Sequence, residues 1–220
     1  MPARRKYGQG CGTAHALDLI GDRWALLVVR ELLFGPKRFT DLRDGLPGIG
    51  PNVLSQRLKE LEEIGVLARR VLPPPAGSTV YELTAWGSEL EDVLVLLGRW
   101  GARSPDLPIE AETHPEWLVL GMRAIYEPEG DPAPTLYELR FGDETFWARA
   151  DNGSLRVGRG PASEPDAVIT ADVETVAQLM RGVLKPAAAI RSGAVQLEGD
   201  RKAFDRFPSL FRFPPSARAG

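Results

Sequence analysis

The sequence predicts an α+β chain in two parts, and three observations carry that expectation. From Phe39 to Leu67, FTDLRDGLPGIGPNVLSQRLKELEEIGVL, two short amphipathic helical patterns are separated by a Pro/Gly turn. From Arg103 to Glu116, RSPDLPIEAETHPE has three prolines and no sustained periodicity, which reads as a linker with a boundary near Asp106. Beyond it, three β-prone runs, TLYELRF, ETFWARA and SLRVG, are separated by GD and DNG turns and followed by helical patterns.

In the first half, Thr13 is expected to cap a short helix through Ile20, and a second helix runs from about Arg23 to Phe34 until Gly35-Pro36 ends it. Phe39 to Leu46 makes a third helix and LPGIGP the turn. Pro51 suits the first position of a fourth helix, where its missing N–H costs nothing, and Gly65 suits a left-handed cap at its end. Val66 to Leu72 and Thr79 to Leu83 flank a Pro/Gly loop, so a hairpin is expected. A hairpin directly behind such a helix is the wing of a winged helix-turn-helix. Thr84 then caps one long helix to about Arg103, with Leu90, Val93, Leu94, Leu97, Trp100 and Gly101 recurring at three- and four-residue steps.

The second half reads helix (PEWLVLGMRAIY), the three strands, a fourth (AVITA), two helices (VETVAQLMRG, KPAAAIRSG), a last strand (AVQLEG) and a last helix (RKAFDRFPSLF). The expected fold class is α+β, with a mostly antiparallel sheet covered by helices. The expected parts are a winged-helix domain over 1–104, a linker over 105–115, a second domain over 116–213 and a disordered tail over 214–220.

A hydrophobic content of 43% and a charged content of 26% are ordinary for a globular protein. No apolar run approaches the roughly 20 residues that span a bilayer, the start MPARRKYGQGCG has no apolar segment of a secretory signal, and a single cysteine suits a reducing cytoplasm. The net charge of −3 is unevenly distributed: residues 1–104 hold 14 Lys/Arg against 12 Asp/Glu, and residues 105–220 hold 13 against 18. The half with the helical pair is therefore the one suited to phosphate.

With Leu54 at the centre of the buried face of the fourth helix, Leu58 and Leu61 fall within about 40° of it. Asn52, Gln56, Lys59 and Glu63 point away, Ser55 lies beside them and Arg57 on a flank. Asn and Gln can bond adenine bidentately and Ser can donate or accept, so this face suits base edges, while Arg57 and Lys59 suit phosphate or guanine. Lys37, Arg38 and Arg43 around the third helix, and Arg69 and Arg70 in the wing, are the expected phosphate contacts.

The stretch ALDLIGDRWALLVVRELLFGPKRFTDLRDGLPGIGPNVLSQRLKELEEIGVLARR resembles the HxlR-type winged-helix regulators of bacteria. The likeness covers about residues 11–103 and rests on the Trp in the second helix, the Gly-x-x-Arg-Phe-x-x-Leu start of the third and the Pro-x-Val-Leu-Ser-Gln-Arg-Leu-x-Glu-Leu fourth. It implies a cytoplasmic, nucleoid-associated homodimer on a palindromic operator. The dimer contact would involve Leu90, Val93, Leu94, Leu97 and Trp100. Some relatives sense oxidants through a cysteine before the first helix; Cys11 sits there, near a helix N-terminus and after Arg4, Arg5 and Lys6. Here the usual Cys-Pro is Cys11-Gly12, and the chain has no second cysteine.

PDAVITADVETVAQLMRGVLKPAAAIRSGAVQLEGDRKAFDRF resembles the sterol carrier protein type two-like fold, with Val168, Gly182, Ala188, Gly193, Val195, Gly199 and Asp200 at its positions and a likeness spanning about 115–212. That fold implies an apolar tunnel between sheet and helices for lipid-like molecules. Trp117, Met122, Tyr126, Phe146, Trp147, Leu179, Met180, Phe204 and Phe207 would either line such a tunnel or fill a core. No nucleophile elbow, phosphate loop or Cys/His metal spacing occurs, and His15 and His114 fall in different halves, so neither an enzyme nor a cofactor or metal site is expected. The expectation is a repressor whose DNA affinity an apolar small molecule changes. The alternatives are a redox regulator switched through Cys11, or a lipid carrier whose winged helix binds protein.

Overall fold

The computed structural model describes residues 6–75, 77–111, 113–130 and 133–217. The chain forms two compact units, residues 1–94 and 95–220.

The first unit contains α1 (Gly12–Ile20), α2 (Ala25–Leu32), α3 (Phe39–Asp44), α4 (Pro51–Glu63), the hairpin β1 (Leu67–Val71) and β2 (Thr79–Leu83), a short α5 (Ala85–Ser88), and the start of α6 (Leu90–Gly101). The α+β winged helix is as expected, and its differences in detail have local causes. Cys11, not Thr13, is the N-cap of α1. α2 begins two residues after Arg23 because Trp24 is left-handed, at φ 78°. The long helix expected after Thr84 is two helices. The Thr84 hydroxyl accepts from Gly87 N–H (3.0 Å), and Gly87 lies so close to the Val66 carbonyl that a Cβ there would collide with it. That close docking turns the chain at Glu89 before α6 starts.

Strand pairing in β1–β2 is antiparallel, Leu67 opposite Leu83 through Val71 opposite Thr79. Lys37 and Tyr81 exchange both backbone hydrogen bonds (3.0 and 2.8 Å), which ties the α2–α3 connection to the wing. The core gathers Val28, Val29 and Leu32 of α2, Leu42 of α3, Leu54, Leu58 and Leu61 of α4, and Leu67 of β1. One carboxylate is buried beside it. Glu31 accepts from Lys37 Nζ and Arg30 Nη2, each at 2.8 Å, and packs where a side chain on Gly45 would collide with it.

The second unit carries the rest of α6, α7 (Pro115–Ile125), β3 (Thr135–Phe141), β4 (Glu144–Asp151), β5 (Ser154–Arg159), β6 (Ala167–Thr170), α8 (Val173–Met180), α9 (Pro186–Arg191), β7 (Gln196–Gly199) and α10 (Arg201–Arg206), which runs into a 3₁₀ turn over Phe207–Leu210. Strand order is β5-β4-β3-β6-β7; only β3–β6 is parallel. Of the expected tail, 218–220 lie outside the described residues, and Ala217 N–H donates to the Arg103 carbonyl.

One face of this sheet is apolar: Tyr137, Leu139, Phe146, Ala148 and Ala150 are buried, and Tyr137 packs edge-on against Phe207. Its hydroxyl donates to the Ala203 carbonyl at 3.0 Å. Burial pushes the Tyr137 phenol from its ordinary 10 up to about 12, with the Arg206 charge opposing. A folded pKa above the unfolded one means this contribution is whole below pH 10 and is lost as pH rises towards 12. About 2 kcal/mol of stability is expected to go in that window. Urea melts of wild type and Tyr137→Phe between pH 9 and 11.5 check this, since the variant's stability should decline less.

Candidate nucleic-acid interface

α4 presents two chemically distinct sides. Leu54, Leu58 and Leu61 are at most 2% exposed, whereas Asn52, Ser55, Lys59 and Glu63 are exposed, and so is Val53, which the sequence reading omitted. Pro51 opens the helix, and Gly65 at φ 76° follows its last residues. Gln56 is half-buried, its amide donating to Glu60 at 2.7 Å.

Two of the expected contacts are engaged elsewhere. Arg57 turns back to Asp22 (2.7 Å) and also pairs with Glu60, leaving its side chain 14% exposed. It ties α4 to the turn before α2. Lys37 is held by buried Glu31. Glu31, Asp22 and Glu60 are the acidic partners that sequence reasoning missed, because a pattern of hydrophobic spacing gives no signal for which acid a cation will reach.

The remaining cations are exposed. Arg38 stands at the start of α3, Arg43 pairs with Asp44 (3.3 Å), Lys59 with Glu63 (3.7 Å), Arg69 with Glu62 (3.9 Å) and Arg70 with Glu82 (2.9 Å). Such exposed pairs are worth only about 0–1 kcal/mol, so phosphate can displace them.

Along α6, Leu94 turns into the core of the first unit, while Val93, Leu96, Leu97 and Trp100 are 46–73% exposed. Of the residues expected at a dimer contact, Leu94 is thus buried within its own chain, and Leu96, not among them, is exposed. Leu90 is half-buried and, with Ala16, Leu19, Trp86 and Val93, lines an apolar cleft of about 230 Å³. Cys11 is exposed, and the backbone amides of Ala14 and then Thr13 hold its thiol below the usual range, although it forms no side-chain cap on α1. Arg4 and Arg5 lie outside the described residues.

Of the residues expected around a tunnel, Met122, Phe146, Leu179, Phe204 and Phe207 are fully buried, Met180 is buried, and Trp117 and Tyr126 are half-buried. Trp147 does not join them. Adjacent strand residues face opposite sides, so with Phe146 in the core Trp147 lies on the other face, over Gly158. An open cleft of about 790 Å³ is lined by Ile109, Ala111, Val173 and Val183, with Asp172, Glu174 and Arg181. Among the described residues no group of three or more His, Cys, Asp or Glu could hold a metal ion. No described helix is long and apolar enough to cross a membrane.

A helix–turn–helix whose second helix shows an amide- and hydroxyl-bearing face, backed by a basic wing, defines a winged-helix regulator with an appended α+β unit. The sequence pattern of the HxlR-like helix-turn-helix family matches residues 19–107, and that of the SCP-2 sterol transfer family matches residues 135–212. An HTH-type transcriptional regulator of Synechocystis sp. is 38% identical over 95 residues, 43% of this chain and 70% of that protein. The HTH-type transcriptional regulator YodB of Bacillus subtilis is 38% identical over 85 residues, 39% of this chain and 76% of that protein. The structure of reduced YodB superposes with a TM-score of 0.40 at 33% identity, over 44% of this chain and 97% of that one. The chain belongs to the HxlR-like helix-turn-helix family and carries an SCP-2 domain behind its winged helix. The matched relatives are named as transcriptional regulators, and neither matched family is a catalytic one.

Proposed function

We propose that the protein is a cytoplasmic, nucleoid-associated homodimeric repressor. It binds a palindromic operator through α4 and the wing, and an apolar small molecule held in residues 116–213 changes its DNA affinity. The observation that carries this reading is the outward face of α4, where Asn52, Ser55 and Lys59 are exposed over a fully packed leucine side. Support for the dimer is the exposed apolar stripe Val93, Leu96, Leu97 and Trp100, since contiguous exposed apolar surface marks association sites. Support for the ligand is the SCP-2 match together with the apolar and charged groups around the cleft at α8. Half-sites on DNA are about 34 Å apart or a multiple of it, so a few ångströms of change between two recognition helices weakens binding.

Native mass spectrometry, followed by solvent extraction, is expected to show a dimer with a stoichiometric apolar compound, and stripped protein should differ from loaded protein in operator affinity by at least about fivefold. Equal affinity of the two forms would sink the ligand mechanism. Leu96→Glu/Leu97→Glu is expected to give a monomer by light scattering and to weaken operator binding by at least about a hundredfold, through loss of the second half-site.

A second reading is favoured by the geometry of Cys11, exposed and with its thiolate favoured by the Ala14 and Thr13 amides. In it, oxidation of Cys11 carries the signal. An operator affinity of Cys11→Ser that still responds to peroxide or diamide excludes it.

A further inference from the structure

The outer face of the sheet, opposite the Tyr137–Phe146 core, carries an arrangement that neither the winged helix nor a tunnel uses. Arg149 of β4 and Arg156 of β5 stand directly across from one another. Like charges in that position repel, yet among the described residues neither makes an ion pair. Arg149 also borders a recess of about 200 Å³ lined by Leu136, Trp147, Pro161, Ala162 and Ser163. Of the acids on this face, which by strand alternation include Asp151, Glu138 is only 3% exposed and already bonded: it accepts from Arg140 (2.7 Å) and from Ala162 N–H (2.8 Å).

These bonds have a structural effect. Through Glu138 the 161–163 segment is fixed above Leu136, which is thereby 6% exposed on what would otherwise be an open strand. Trp147 lies across Gly158, where any side chain would collide with its indole. The recess thus has an apolar floor, an aromatic wall held in place, a fixed rim and Arg149 at its edge, with Arg156 opposite Arg149 in the strand register. Planar guanidinium forks match carboxylates bidentately, and an indole face packs on flat rings.

We propose that this recess is a second binding site, for a small planar anion of the aromatic carboxylate class. The ring would pack against Trp147 and Leu136 and the carboxylate would lie between Arg149 and Arg156. It stands on the sheet face opposite the core, so it is separate from an apolar ligand held between sheet and helices and does not depend on the DNA-binding reading.

The test is an NMR titration of the ¹⁵N-labelled full-length chain with 2-naphthoate, the uncharged 2-naphthamide and inorganic phosphate. Naphthoate is expected to shift the Trp147 indole N–H and the Gly158 amide saturably, with Kd roughly millimolar or tighter. Arg149→Gln/Arg156→Gln, a surface double change that leaves the strand pairing in place, should weaken it by at least about tenfold. Naphthamide and phosphate should each bind at least about tenfold more weakly than naphthoate, one lacking the charge and the other the ring. Trp147→Phe assigns the indole signal, and if that variant fails to fold the Gly158 amide reports the same recess. Naphthamide or phosphate binding as well as naphthoate overturns the proposal. So does an unchanged Kd in the double variant, or no saturable shift by about 10 mM naphthoate.

Discussion

Alanine at Asn52, Ser55 and Lys59 together is expected to lower specific operator affinity by about a hundredfold to ten-thousandfold while leaving the fold intact. Each good base contact discriminates by about 1–3 kcal/mol, and losing one phosphate contact lowers affinity further and flattens the salt dependence. All three side chains are exposed, and only Lys59 has an ion pair, the loose 3.7 Å contact to Glu63, so little folding energy is at stake. The measurement is fluorescence anisotropy on duplexes selected from a random pool by the wild-type protein, at two salt concentrations, with circular dichroism as the control for folding. Wild-type affinity in the triple variant would remove α4 as the reading helix. A loss equal on selected and random duplexes would make its face a phosphate contact without base readout.

Glu31→Ala is expected to destabilise the winged helix by about 2–3 kcal/mol, among the larger effects of any single substitution outside the leucine core. The carboxylate is 1% exposed and is shared by Arg30 and Lys37, whose side chains are 20% and 17% exposed. Removing it takes a carboxylate at 2.8 Å away from each of two half-buried cations and opens a space beside Gly45. Because both cations can still reach water at one end, the loss should fall short of the about 3–5 kcal/mol seen when a fully buried pair is broken. Glu31→Gln preserves the shape and one acceptor and should cost about half as much. Urea unfolding monitored by tryptophan fluorescence decides it. A change under about 0.5 kcal/mol for Glu31→Ala would mean that the pairing adds nothing beyond its desolvation cost.

Much of the first unit was legible because its signals are local. Pro51 and Gly65 bracket α4 by fixed backbone preferences, and the leucines at 54, 58 and 61 fix its inward side. The strands of the second unit were legible from alternation and from turn residues, Gly142 and Asn152-Gly153 among them, which adopt positive φ. What could not be read depends on distant partners. Asp22 captures Arg57 across 35 residues, and Glu31 captures Lys37, so two cations expected at DNA are ion-paired within the unit. The leucine repeat after Thr84 reads as one helix because the repeat does not register that Gly87 must approach the Val66 carbonyl. Grouping Trp147 with Phe146 overlooked strand parity, which the sequence itself contained. Arg149 and Arg156 passed as ordinary surface charge until the register placed them opposite one another.

The single parallel pairing in the second unit has a consequence for how the chain is made. β3, β4 and β5 are neighbours in both sequence and sheet, so this meander can form as soon as residue 159 leaves the ribosome. The other edge of β3 must wait for β6, and β7, which completes the sheet, lies beyond α8 and α9. At about 5–20 residues per second, the roughly 40 residues from the end of β5 to the end of β7 leave β3 or β6 as a bare edge for several seconds of synthesis. β3 is buried along nearly its whole length in the finished protein. During translation, then, first β3 and after residue 170 the buried strand β6 stand without a second neighbour, and nascent chains paused in this interval are where strand-mediated aggregation would begin.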